Sequence, residues 1–244
     1  MLYDTYKNVN KKKKTNLELE EKITDINDCI FDFIYGMAMN DATRQKAYLG
    51  SKDNLLDVVE AKKHVKEYIE SIYNGRYPCF YRVVDSLKKD FEKYTEFSFG
   101  NIQKLVNMTA KYFFISSYHD ASKRLLFKLC HCPMDEKMIS IVSGKYKSMV
   151  KKKPDLKEKK TEYFVINGRE SSNWSDVRWS NIRFNGEGIT SKEIYEKYQI
   201  MVSELVAELS LSMGEEVIPI EYDFIEWSNI DIKSLKRKRD YDDK

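Results

Sequence analysis

The chain has 244 residues, 42% hydrophobic and 13% aromatic, enough apolar surface to bury a core without disulfides or a structural metal. Its 42 basic and 39 acidic side chains nearly cancel to +3, which argues against wrapping nucleic acid by global charge and leaves only local patches to recruit an anion. Four cysteines without a paired spacing (Cys29, Cys79, Cys130, Cys132), no apolar leader after Met1, and no uncharged run near the roughly 20 residues of a membrane helix predict a cytoplasmic chain with reduced thiols and no membrane contact.

Taken in order, residues 1–16 form a basic N-terminal segment that includes Lys11–Lys14. Leu19, Ile23, Ile26, Ile30, Phe33 and Met37 then recur at steps of three and four and predict one long amphipathic helix with that face inward. Asn40 and Asp41 before Ala42-Thr43-Arg44 predict the cap of a following helix. Val58, Val65, Ile69 and Ile72 mark a second helix ending near Asn74-Gly75. Pro78 opens a third, with Phe80, Val84, Leu87, Phe91 and Tyr94 on one face. A fourth runs from Ser98-Phe99-Gly100 to about Ser116, and shorter pieces follow at Lys123–Cys130 and Met134–Val142. Lys145–Lys160, with eight lysines and Pro154, reads as an exposed loop or linker.

Beyond it, Glu162–Ile166 predicts a short strand, and Thr190 with Glu193 a capping box opening a helix over Ile194, Tyr198, Met201, Leu205 and Leu209. Ile218, Ile220, Tyr222 and Phe224 alternate with Pro219, Glu221 and Asp223 and predict the strand that pairs with 162–166. The expected fold class is therefore mainly α. A multi-helix bundle (17–143) and a basic linker (144–161) precede a small α+β part (162–232) of one long helix and a two-stranded sheet, packed on the bundle; a charged tail (233–244) follows. The tetrapeptide Trp179-Ser-Asn-Ile182 recurs at Trp227-Ser-Asn-Ile230, which a Trp anchor followed by a turn used twice explains without duplication.

Chemistry is most concentrated on the fourth helix. Gln103, Lys104, Asn107 and Lys111 fall within an arc of roughly 100° at 3.6 residues per turn, while the rest of the circumference is apolar. Such a stripe is either a thin solvent-facing strip with lysine heads in water or a cleft wall on which two ammonium groups and two amides meet an anion. Three basic clusters, Lys11–Lys14, Lys151–Lys153 and Lys236–Arg239, offer phosphate contacts, and Trp174 and Trp179 offer stacking surfaces beside Lys151, Lys152 and Lys153. The expected activity is binding of nucleic acid or a phosphorylated small ligand, without a cofactor, in the manner of an accessory protein of a viral or bacterial defence system; a protein partner for the helix faces is the competing expectation.

A second reading starts from Arg124 and His131, seven residues apart and nearly on one face of a continuous helix. The pair resembles the Arg-x4–6-His signature of HEPN-type ribonucleases. The resemblance implies a helical bundle, commonly dimeric, in which Arg124 and His131 would act at the scissile phosphate and the 2′-OH without metal. It covers these two positions and the helical class only, and departs at Leu125, where that family usually carries a polar residue. Cys130-His131-Cys132 lacks a zinc-ligand spacing, so no metal is expected.

Overall fold

The computed structural model describes residues 26–43, 58–94, 97–117, 120–152, 164–166, 169–171 and 173–229, and these are mainly helical. Helix α1 (Ile26–Thr43) lies along α4 (Phe99–Ser116), and α2 (Val59–Tyr73) and α3 (Phe80–Asp90) pack against each other and α4. Apolar spacing within α2 and α3 buries Val65, Ile69, Ile72, Val84 and Leu87 as the periodicity requires. Asn74 closes α2, and Gly75 supplies the positive φ that turns the chain away.

In α1 the face is not the predicted one. Phe31, Ile34, Tyr35, Ala38, Met39 and Ala42 are buried, whereas Ile30 is 42% and Phe33 67% exposed. The helix is apolar on two sides, and the small Ala38 and Ala42 decide between them by letting α1 approach α4 closely. Leu19 and Ile23 lie outside the described residues. The helix also runs through Thr43, so Asn40 and Asp41 belong to its last turn and do not cap a following helix. Asp41 instead accepts from the Tyr112 hydroxyl of α4, and Asn101 of α4 donates to the Ala42 carbonyl at 2.6 Å. Arg44 is outside the described residues.

Helix α4 begins with a capping box, Ser98 and Asn101 each satisfying the other's backbone N–H. Ser98 also donates to the Ser180 carbonyl at 2.8 Å, and the Gly100 N–H donates to Ile182 at 3.1 Å. A Cβ at Gly100 would stand 1.7 Å from the Trp179 carbonyl oxygen, so only glycine lets the 3-10 turn Trp179–Asn181 lie on this helix end.

After the 3-10 helix Ala121–Leu129 comes α5 (Glu136–Lys152), which continues well past the predicted end at Val142. The run read as linker is helical to Lys152 because Ile139, Val142, Tyr146 and Met149 keep a three-four spacing inward, while Lys151 and Lys152 complement the negative end of the helix dipole. A short hairpin follows, with β1 (Phe164–Ile166) antiparallel to β2 (Arg169–Ser171).

Helix α6 (Lys192–Met213) packs on α5 and ends at Gly214 in the left-handed region. Its N-cap is Ser191, which accepts from the Glu193 N–H; Thr190, predicted as the cap, sits in the preceding 3-10 turn and donates to the Glu187 carbonyl. The predicted strand over 218–224 is a helix, α7 (219–229), so the expected sheet between 162–166 and 218–224 does not form. Pro219 stands at its first position, and Glu221, two residues on, accepts from the Ile218 N–H at 3.1 Å. These end signals override the short alternation. The two Trp-Ser-Asn motifs thus occupy a 3-10 turn and an α-helix, and share no structural unit. One contiguous buried cluster extends from Phe31 to Tyr222.

Candidate functional site

The polar arc of α4 faces neither bulk water nor an open cleft. Gln103 and Asn107 are fully buried, and the Lys104 and Lys111 side chains are each 12% exposed. Gln103 donates to the Met134 carbonyl at 3.1 Å, and Asn107 donates to Gln103 Oε1 at 3.1 Å and to the Tyr195 hydroxyl oxygen at 2.8 Å. Lys104 lies 3.9 Å from Asp135 and over the Trp179 ring at 4.4 Å. Lys111 binds the buried Asp223 of α7 and sits over Phe224. The stripe is the seam along which 131–135, α6 and α7 are sewn to α4. Burial pushes the Asp223 carboxyl up from its ordinary range, and the adjacent Lys111 ammonium pulls it back.

Arg124 and His131 are engaged separately. The region is a 3-10 helix that ends at Leu129, so the single α-helical face that the spacing presumed is absent. Arg124 makes a two-pronged bond to Glu221 and donates to the Glu216 carbonyl. His131 packs on the Phe80 ring at 4.4 Å, with Nδ1 2.7 Å from the Tyr195 hydroxyl. Asn107 donates to the same oxygen, which keeps a second lone pair and its own proton, so either partner can be the donor in the His131–Tyr195 bond. Burial pushes the imidazole down to about 4. Both residues therefore have partners that position structure: Arg124 anchors α7, and His131 anchors the extended strap 131–135. Gln199 exchanges two bonds with the Cys132 backbone, and Tyr198 donates to the Pro133 carbonyl at 3.0 Å. Burial raises the Cys130 and Cys132 thiols, and no cluster among the described residues has the groups to hold a metal ion.

The third candidate set divides. Trp179 is buried at 1% exposure under Lys104, so it offers no stacking surface; it is a core anchor, which is a correction to the expectation. Lys153 lies outside the described residues, as do Lys11–Lys14 and Lys236–Arg239. Trp174 and Lys151, by contrast, line a groove of about 680 Å³ between α5, the segment 173–178 and the first half of α6.

Its long wall is one face of α5, from Glu136 through Ser140, Ser143 and Lys147 to Lys151, a rise of about 22 Å at 1.5 Å per residue. Arg178 and Lys197 stand on the other walls. Lys147, Lys151 and Arg178 are exposed, and Lys147 and Lys151 reach no carboxylate among the described residues; Arg178 meets Glu136 at 3.9 Å. Trp174 is held half-buried by a turn that closes on itself. Asn173 accepts from the Ser175 N–H and donates to Asp176 at 2.9 Å, and Arg178 donates to the Ser175 carbonyl at 3.1 Å. Lys147, Arg178, Lys197 and Tyr146 are not among the site residues that the sequence predicts. The three-four spacing of Ile139, Val142, Tyr146 and Met149 would have revealed the helix that brings Lys147 and Lys151 onto one face.

Compared with protein-family models, with curated proteins and with solved structures, the chain matches none. Among the described residues no helix is long and apolar enough to cross a membrane.

Proposed function

We propose that this protein is a binding module for an anionic ligand, nucleic acid or a phosphorylated molecule, and that the ligand occupies the α5 groove. One observation carries the reading: Lys147 and Lys151, one turn apart on α5, share a concave surface with Arg178 and Lys197 from two other elements. Cations grouped in a groove raise the local concentration of anions and supply phosphate contacts that need no further chemistry. The α4 residues Gln103, Lys104, Asn107 and Lys111 support this site indirectly, because the seam they form holds the 3-10 turn Trp179–Asn181 next to segment 173–178.

The test is purification under native conditions, with absorbance at 260 nm and mass spectrometry of whatever denaturation releases. The expected result is a co-purifying nucleotide or nucleic acid that is absent from a Lys147→Glu/Lys151→Glu variant with an unchanged melting temperature. Equal loading of variant and parent would remove the groove as the site.

A further inference from the structure

From the shape and lining of the groove we infer that its ligand is a single strand of nucleic acid, bound through its backbone and stacked bases with little regard to sequence. The inference rests on the groove being the anion site and deepens that reading. Three features point the same way.

First, the cations are strung out. Lys147 and Lys151 lie about 6 Å apart along α5, while Arg178 meets Glu136 some 16 Å up the same helix from Lys147 at 1.5 Å per residue. A pocket for one phosphate gathers its cations on one point; a row of them suits consecutive phosphates. Second, two aromatic residues, Trp174 and Tyr146, share this lining with the cations. A ring next to a tracked backbone is the arrangement by which proteins hold unpaired bases, since every base has a face to stack and none need be read by its edge. In a duplex those faces are already covered, and its grooves are entered by convex protein elements, whereas here the protein is the concave partner.

Third, the α5 wall is kept low. Ser140, Ser143 and Gly144 line it together with Tyr146 and Lys147. Gly144 lies inside α5, where glycine weakens a helix, yet a Cβ there would meet nothing within 4 Å. Neither backbone conformation nor neighbouring packing requires glycine at this place. What it leaves is open space along the α5 wall of the groove.

The test is fluorescence anisotropy with a labelled uridine oligomer of about a dozen nucleotides, within the span that single-strand modules cover. It is compared with a duplex of the same length and with ATP, at two salt concentrations. The oligomer is expected to bind at least ~10-fold more tightly than either competitor and to quench tryptophan fluorescence. Trp174→Ala should weaken the oligomer ~10-fold while leaving duplex binding unmoved. Trp174→Phe should retain most of the affinity, and Gly144→Leu, whose side chain fills the groove from a different element, should lose it with the fold intact. Gly144→Leu carries the test if Trp174→Ala unfolds. Duplex or ATP binding equal to the oligomer, with no effect of Trp174→Ala or Gly144→Leu, would overturn the single-strand inference and leave an anion groove standing. Absence of binding by all three probes would overturn the anion groove itself.

Discussion

The two basic regions of this protein are built to opposite rules. On α4, Lys104 and Lys111 are largely buried, and each is matched: Asp135 and the Trp179 ring receive one, Asp223 and the Phe224 ring the other. On α5, Lys147 and Lys151 are exposed and have no such partner among the described residues. A lysine taken out of water demands a counter-charge, or the desolvation cost falls on the fold. A lysine left in water demands nothing and stays available to a solute. The seam that looked like a site by its composition is thus construction, and the run that looked like a linker carries the candidate site.

The largest effect should come from breaking the seam's pairing on one side only. Asp223→Ala leaves the Lys111 ammonium buried without its carboxylate and should cost about 3–5 kcal/mol, read by urea denaturation. Replacing both as Lys111→Met/Asp223→Leu should restore most of it; if the double variant is as unstable as the single, the pair is not what the seam depends on. Gly100→Ala should follow at about 3 kcal/mol, because its Cβ would overlap the Trp179 carbonyl; a fall in melting temperature of roughly 10 °C is expected. In the groove the balance reverses. Lys147→Glu/Lys151→Glu should weaken nucleic-acid binding by about 2 kcal/mol while shifting stability by less than ~0.5 kcal/mol.

His131 sharpens the contrast through pH. Its folded pKa lies below the unfolded value, so the unfolded chain binds more protons between about pH 6.5 and 4, and stability should fall as pH drops through that window. The loss should be about 1–2 kcal/mol, with the residue's partial exposure allowed for, and His131→Phe should flatten that part of the curve in thermal melts. Smallest of all, Gly144→Ala should stabilise α5 by about 0.5–1 kcal/mol, since nothing crowds the added methyl.

Much of the helical framework is legible because capping and turn chemistry are local: Ser98 before α4 and Gly75 after α2 sit where the residue types predict. The α4 arc was legible as a stripe but not in its role, because Asp223 lies 112 residues from Lys111 and periodicity contains no information on pairing at that distance. The face of α1 is not legible from its large apolar residues alone, because Tyr35, Ala38 and Ala42 take the buried side. Helix α7 reads as a strand in the sequence because four alternating apolar residues fit either period, and the decisive signals, Pro219 and Glu221, mark a helix start. Of the groove, Trp174 and Lys151 were anticipated, whereas Arg178 and Lys197 converge on them only through tertiary contacts.

Helix α7 is fastened by its carboxylates to three earlier parts of the chain: Glu221 to Arg124, Asp223 to Lys111, and Glu226 to Lys145. During synthesis the chain lacks all three carboxylates long after α4 and α5 have left the ribosome. Until residue 223 emerges, the Lys111 ammonium on the α4 stripe lacks its counter-charge and keeps its water. Arrival of α7 then closes that stripe at a late step, so its docking should slow and weaken with added salt in a way that formation of the α1–α4 core does not.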